Sequence, residues 1–219
     1  MLSTQTAQKV IDCALSQSAS FIDLFIEKNQ ALSVVLKSKN VDQISDGIDF
    51  GIGIRVIFGT KALYGYTNSS ELDELIRITN LLCALDRKKA SPLPINFTKT
   101  HTAKFSPTIL GLNQTVGLEE KIRYLKSVDE ATRIHSEKIT QVEVRSSERF
   151  QQVEIFNSFG LHAEDQRFYT RIAAIAIASD GGKQDSAFYG PGGFGGWELT
   201  RKIDPKLIPS NFFCFELYS

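Results

Sequence analysis

The stretch Phe21–Thr67, FIDLFIEKNQALSVVLKSKNVDQISDGIDFGIGIRVIFGTKALYGYT, decides the fold. Short apolar or alternating runs follow one another in it: Phe21 to Glu27, Leu32 to Leu36, Val41 to Ile44, Gly51 to Phe58 and Ala62 to Tyr66. Turn signals separate them, notably Asp46-Gly47 and Gly59-Thr60. Connections this short suit antiparallel strands, because parallel pairing needs a crossover of about a dozen residues.

Helices flank this block. Ala7, Val10, Ile11, Ala14 and Leu15 recur at helical spacing, with Ser3 or Thr4 as the cap. A second helix is expected from Asn68–Ser70 onward. Ser70 and Asp73 stand at capping-box spacing, and Leu72, Leu75, Ile76, Leu82 and Leu85 form its apolar side. The stretch 90–117, with Pro92, Pro94 and Pro107, reads as a linker that joins two parts or wraps a surface. Leu118, Ile122, Leu125, Val128 and Ala131 then mark a third helix. Strands are expected at Gln141–Arg145, Val153–Phe156, Leu161–Ala163, Phe168–Ala178 and Asp185–Tyr189, with turns at Asn157–Gly160 and Asp180–Gly182.

Helices beside antiparallel meanders give an α+β class, with a duplicated helix-plus-meander unit as a further expectation. The pairing of Gly51–Tyr66 with Arg171–Tyr189 carries that idea, since each has an apolar strand, a tight turn and a strand ending in Tyr-Gly. The expected division is a first helix–meander–helix unit over 1–89, the linker over 90–117, a second unit over 118–199 and a tail over 200–219.

Bulk properties exclude several functions. Lys and Arg number 25 and Asp and Glu 25, so no overall field favours nucleic acid or an anionic membrane. The basic run Arg87-Lys88-Lys89 reads as a cationic helix terminus. No apolar stretch approaches the length of a membrane span, and residues 1–20 are amphipathic, unlike a signal peptide. The sequons at Asn68, Asn96 and Asn113 are then chance matches. Cys13, Cys83 and Cys214 are odd in number and widely spaced, which disfavours a disulfide framework or thiolate metal site. The expected compartment is the cytoplasm.

Chemical constellations are scarce. Zinc peptidases place two histidines about one helical turn apart, so that both imidazoles reach one metal. His101, His135 and His162 are far apart, and each reads as a solvated or hydrogen-bonded side chain. No Gly-x-Ser-x-Gly elbow is present, and no cysteine lies beside a base. Catalytic and metal-binding residues are therefore both expected to be none, with no cofactor held by this chain. Gly51-Ile52-Gly53 lacks the third glycine of a dinucleotide loop, since Val56 stands there, and it lies in a strand. The cluster Tyr189-Gly190-Pro191-Gly192-Gly193-Phe194-Gly195-Gly196-Trp197 lacks a phosphate-loop ending. Two readings stay open for it. One is a connector; the other is a strand edge that holds an extended peptide through Tyr189, Gly190, Gly192, Gly193, Phe194 and Gly195.

Three segments together resemble the TldD/PmbA family of metallopeptidases, on the TldD side. Gly51-Ile52-Gly53-Ile54-Arg55-Val56-Ile57-Phe58-Gly59 with Tyr64-Gly65-Tyr66 is similar to that family's Gly-x-Gly-x-Arg strand and following hairpin. Leu118-Glu119-Glu120-Lys121-Ile122 with Val128-Asp129 is similar to its mid-domain helix. Asp180-Gly181-Gly182-Lys183 leading to Gly192-Gly193-Phe194-Gly195-Gly196-Trp197-Glu198 is similar to its strand and glycine-rich segment.

The resemblance implies an amino-terminal α+β domain that precedes a domain with a His-Glu-x-x-x-His motif and a cysteine, which hold zinc in full-length members. It also implies homodimers or heterodimers with a PmbA-type subunit, and proteolysis of unfolded peptides. No residue of this chain matches the metal motif. Asp204-Pro205-Lys206-Leu207-Ile208 resembles the start of the family's next helix, which Pro209 is expected to break before the aromatic run Phe212–Phe215. A truncated tail is the corresponding expectation. Three functions follow: an inactive amino-terminal portion of a TldD-type peptidase, a non-catalytic dimerisation or peptide-binding subunit, or an unrelated binding module.

Overall fold

The computed structural model describes residues 1–85, 98–102 and 116–211. The linker prolines, the basic run at 87–89, the sequons at Asn96 and Asn113, Cys214 and the run Phe212–Phe215 lie outside the described residues. The elements are α1 (Thr4–Ser16), β1 (Phe21–Lys37), β2 (Asn40–Phe58), β3 (Lys61–Thr67), α2 (Leu72–Ala84), β4 (Thr98–Thr102), α3 (Leu118–His135), β5 (Ile139–Asn157), β6 (Leu161–Asp180), β7 (Lys183–Tyr189), β8 (Gly192–Phe194), a 3₁₀ turn (Trp197–Lys202) and α4 (Leu207–Ser210). The class is α+β. The order helix, then three strands, occurs twice, as α1-β1-β2-β3 and as α3-β5-β6-β7. Within the sheet the strands run β3-β2-β1-β5-β6-β4, and β7 and β8 also pair with β6.

The expected strands merge in pairs. Phe21–Glu27 and Leu32–Leu36 are both parts of β1, and the runs at Val41 and Gly51 are both parts of β2. The same holds for β5 and β6. Polar interruptions such as Asp46-Gly47 remain extended because equally long neighbours satisfy their backbone groups. The chain instead reverses at Ser38-Lys39, where both residues have positive φ (49° and 70°). That two-residue, left-handed geometry matches the twist of the flanking strands, so it prevails despite the absence of glycine. Gly59 (φ 61°), and Gly181 and Gly182 (φ 53° and 80°), form the turns expected of them. At the β5–β6 connection, Asn157 Oδ1 accepts from the N–H groups of Phe159 and Leu161 at 2.9 and 3.1 Å, which is the Asx turn its side chain favours.

Two compact units divide the chain. The first draws on 1–29, 48–105 and 151–166. In it α1 buries Ala7, Val10, Ile11, Ala14 and Leu15, the five residues its periodicity marks. Ser3 Oγ accepts from the Thr6 N–H at 3.0 Å as the cap. The core continues through Ile22, Leu24, Ile26, Ile52, Ile54, Val56, Leu75 and Phe156. Helix α2 starts after Glu71, whose side chain makes no cap bond, so the expected Ser70–Asp73 box is not formed. With the start at Leu72, Asp73 and Glu74 fall in the first turn, where their charges complement the exposed N–H groups. Strand β4 pairs in parallel with β6, through Thr98↔Leu161 and Thr102↔Glu164.

The second unit draws on 30–47, 106–150 and 167–219. Its core joins Val34, Leu36, Leu125, Val128, Val142, Val144, Ile172, Ala174, Ala176 and Trp197. Helix α3 does not bury the purely apolar stripe expected of it. Leu118 is exposed, whereas Lys121, Asp129 and Thr132 are buried with Leu125 and Val128. The polar members are paired: Lys121 Nζ lies 2.6 Å from Glu148 Oε1, and Arg133 Nε 2.7 Å from Asp129 Oδ1. Pro209 does not break the last helix. It occupies the first turn of α4, where its missing N–H has no intrahelical acceptor to lose.

Candidate functional site

The glycine cluster folds onto the outer edge of β6 in the second unit. Tyr169, Thr170 and Arg171 pair antiparallel with Phe194, Gly193 and Gly192. On either side the ladder is continued by Ile172 N–H to Pro191 O and Gly195 N–H to Phe168 O, both 2.9 Å. Thr170 Oγ1 donates to Gly195 O at 2.9 Å and pins the end of the segment. The fit admits glycine alone at Gly192, where a β-carbon would come within 2.7 Å of Thr170 O and 2.9 Å of Arg171 Cα. Both neighbours are backbone and cannot yield.

Side chains reinforce this edge. Phe194 lies on Tyr169 with ring centroids 4.6 Å apart. Arg171 donates from Nε to Gly190 O at 3.2 Å, and its guanidinium sits 5.5 Å from the Phe188 ring centroid. Tyr189 closes the β6–β7 ladder opposite Ala174 and packs half-buried on the second core.

Beside β8 lies a groove of about 850 Å³. Ala31–Ser33 of β1, Ser45–Gly47 of β2, Ser147–Arg149 of β5 and Tyr169–Arg171 of β6 line it together with Gly190, Gly192 and Gly193. Three of the six residues singled out in the sequence therefore line the groove. Tyr189, Phe194 and Gly195 lie next to it in the chain without lining it. Arg149 and Arg171 are the lining cations that sequence reading missed. They sit mid-strand in alternating segments far apart in the chain, and nothing local distinguishes them from other surface arginines.

Beneath this region runs a buried charged pair. Lys121 and Glu148 have side chains 1% exposed, and Lys121 Nζ lies 5.4 Å from the Trp197 ring centroid. Glu148 Oε2 has no hydrogen-bond partner. Burial pushes the Glu148 carboxyl above its ordinary range, and the Lys121 contact opposes that only in part. Tyr124 meets the Trp197 ring edge-on at 5.7 Å and donates its hydroxyl to Ile203 O at 2.9 Å. Burial, helped by the nearby charge of Asp204, pushes its pKa up to about 12.

The histidines lie on three different elements, and the β4–β6 pairing sets His101 opposite Ala163, next to His162. His135 ends α3, exposed; His101 lies in β4; His162 lies in β6, with Nε2 3.0 Å from Glu154 Oε1. The sequence holds no His-Glu-x-x-x-His, so the family's metal motif has no match in this chain. Neither Cys13 nor Cys83 is in a disulfide. Among the described residues no helix is long and apolar enough to cross a membrane.

Comparison with known proteins agrees with the sequence motifs. Residues 22–84 match the PmbA/TldA metallopeptidase domain 1, and residues 112–209 match the PmbA/TldA metallopeptidase central domain. A curated relative, the metalloprotease TldD homolog of Haemophilus influenzae, is 26% identical over 194 residues, covering 88% of this chain and 40% of that protein. Solved structures share the fold. A candidate modulator of a DNA gyrase from Thermotoga maritima has TM-score 0.73 at 17% identity, over 94% of this chain and 45% of that one. TldE from Thermococcus kodakarensis has TM-score 0.65 at 13% identity, over 85% of this chain and 42% of that one. The chain thus spans less than half the length of these relatives. With the two domain matches in their family order and covering most of its length, this chain belongs to the PmbA/TldD metallopeptidase family.

Proposed function

We propose that this chain supplies the amino-terminal and central portion of a TldD-type metallopeptidase, binds unfolded peptide, and hydrolyses none by itself. The observation that carries the reading is the ordered match to domain 1 and the central domain. It stands beside a sequence with no His-Glu-x-x-x-His. In this reading the zinc ligands of full-length members lie outside the portion that this chain matches. The chain works in the cytoplasm, in a homodimer or with a PmbA-type subunit. Peptide lies extended against β8, with Tyr189, Gly190, Gly192, Gly193, Phe194 and Gly195 forming its edge.

Two features support peptide contact there. Strand β8 is exposed, and Gly193, opposite Thr170, turns its backbone groups toward β6, which leaves the outward-facing backbone of Gly192 for strand addition. The adjoining groove has no cysteine or histidine among its lining residues, which suits holding without cleaving. These features also favour the second reading, a non-catalytic dimerisation or peptide-binding subunit.

The test incubates the 219-residue chain with an unstructured peptide and zinc, and follows cleavage by mass spectrometry and binding by amide spectra. We expect intact peptide and perturbed amides at Gly192 and Gly193. Chelator-sensitive cleavage overturns the inactive reading, and unperturbed β8 amides overturn the peptide edge. Co-expression with a PmbA-type protein separates the two readings. A joint complex that cleaves supports an enzyme subunit, and one that binds without cleaving supports the non-catalytic one.

A further inference from the structure

In the first unit, far from the glycine cluster in sequence, three ligand-type side chains converge at the β5–β6 hairpin. Glu154 lies on β5; His162 and Glu164 lie two apart on β6, on one face of the strand. One nitrogen, His162 Nε2, stands 3.0 Å from Glu154 Oε1 and 3.4 Å from Glu164 Oε1. All three ligand atoms lie within 4.8 Å of one another. We propose that Glu154, His162 and Glu164 form a binding site for a zinc-sized divalent cation.

Donor placement argues first. A single imidazole nitrogen directs one bond along one direction, yet two carboxylate oxygens face His162 Nε2. A divalent cation among the three atoms gives each of them its own bond.

Geometry agrees. Two donors each about 2.1 Å from a metal are separated by about 3.0 Å at a right angle and about 3.4 Å at the tetrahedral angle. Those are the spacings His162 keeps to the two glutamates. The surroundings fix the donors as the outer partners of metal ligands do. The Leu2 N–H donates to Glu154 Oε2 at 2.8 Å, which turns Oε1 toward the histidine. The Phe156 ring stacks on the imidazole, 4.2 Å between centroids and 17° between planes, and sets the ring plane. Exposure is graded, from Glu154 at 4% through His162 at 12% to Glu164 at 40%. The site thus opens on the Glu164 side, where the ion enters and water completes its coordination.

One nitrogen and two carboxylate oxygens select a borderline or hard ion, zinc or manganese, over thiolate-seeking copper(I). Through Glu154 the bound ion also secures Leu2, the residue just before the cap of α1. The role is structural: it clamps the start of the chain to the hairpin.

The test titrates zinc into the full chain by equilibrium dialysis and records long-range ¹H–¹⁵N histidine spectra. We expect one zinc per chain and a coordination shift at His162 Nε2 alone. His162→Gln and Glu164→Gln should each weaken uptake by at least about tenfold with unchanged circular dichroism. Glu164 is the more exposed of the pair, so Glu164→Gln tests the site even if His162→Gln folds poorly. Three results overturn the proposal: no uptake at millimolar zinc, the shift appearing at His101 or His135 instead, or uptake unaffected by Glu164→Gln. Peptide cleavage plays no part in this readout, so it stands or falls separately from the proposed function.

Discussion

The phenol ring of Tyr66 lies across Gly51 on the neighbouring strand, where a β-carbon would stand 2.9 Å from its Cζ. Tyr64 covers Gly53 in the same way, again with 2.9 Å to Cζ. The register places Tyr66 opposite Gly53 and Tyr64 opposite Arg55, so each ring leans diagonally over the glycine two residues back. The Gly-x-Gly and Tyr-Gly-Tyr motifs are thus two halves of one packing device, in which aromatic rings shield backbone that glycine leaves bare.

This device predicts unequal costs for glycine substitutions. The rings of Tyr64 and Tyr66 are more than half exposed and can swing away, so Gly51→Ala should cost about 1 kcal/mol or less. Gly65 faces inward, and a β-carbon there would meet Ile78 Cγ2 at 2.6 Å and Leu82 Cδ1 at 3.2 Å. Both belong to α2 and are buried. Gly65→Ala should therefore destabilise by about 1–3 kcal/mol through overpacking. Urea unfolding of both variants checks the ranking.

The Lys121–Glu148 pair predicts a non-additive cycle. Lys121→Met strands a buried carboxylate and Glu148→Leu strands a buried ammonium, each at about 3–5 kcal/mol. The double variant should recover most of that loss, because neither charge is then left unpaired. Unfolding free energies for the four proteins measure the coupling. Simple additivity would show that the pair does not act as a unit.

The raised Glu148 carboxyl also predicts a pH slope. Its folded pKa lies above the ordinary glutamate value, chiefly through burial, so the folded state holds the proton that the unfolded state releases. Its stabilising contribution is full below the unfolded pKa and declines as pH rises through the folded one. Subtracting the stability profile of Glu148→Gln from that of the wild type should leave a component falling above the ordinary glutamate range. A component rising with pH would contradict the assignment.

Tyr124 gives a spectroscopic marker. Its pKa of about 12 comes first from burial and then from Asp204. Its contribution to stability is present below the ordinary tyrosine pKa and lost as pH climbs through about 12. Ultraviolet titration should resolve one phenol of the six in the chain that ionises late. Tyr124→Phe should abolish that phase and cost about 1 kcal/mol for the lost bond to Ile203 O.

Much of the fold is legible in local pattern. The face of α1, its Ser3 cap, and the turns at Gly59, Asn157–Gly160 and Gly181-Gly182 all follow from periodicity and turn chemistry. These depend on residues within a few positions of one another. Strand lengths were not legible, since interruptions at Asp46-Gly47 or Glu164–Arg167 end a strand only when no neighbour pairs with them. Nor was the Ser38-Lys39 reversal, where strand twist rather than residue preference chose the turn.

The candidate site divides the same way. The glycine cluster stands out in sequence because a run of small residues is locally visible. Arg149, Arg171 and the β1 and β2 segments that share its groove do not, because they meet only across strand pairings. The Glu154–His162–Glu164 group was hidden likewise: His162 read alone is an ordinary strand histidine, and only the hairpin brings two carboxylates to one of its nitrogens. The sequence by itself determined the α+β class, the family motifs and the absence of His-Glu-x-x-x-His, since each is written in contiguous residues. Tertiary structure alone decided that tyrosine rings cover Gly51 and Gly53, that a lysine fills the core face of α3, and which side chains converge. Convergence is set by strand register and helix packing, which bring residues far apart in sequence within reach of one another.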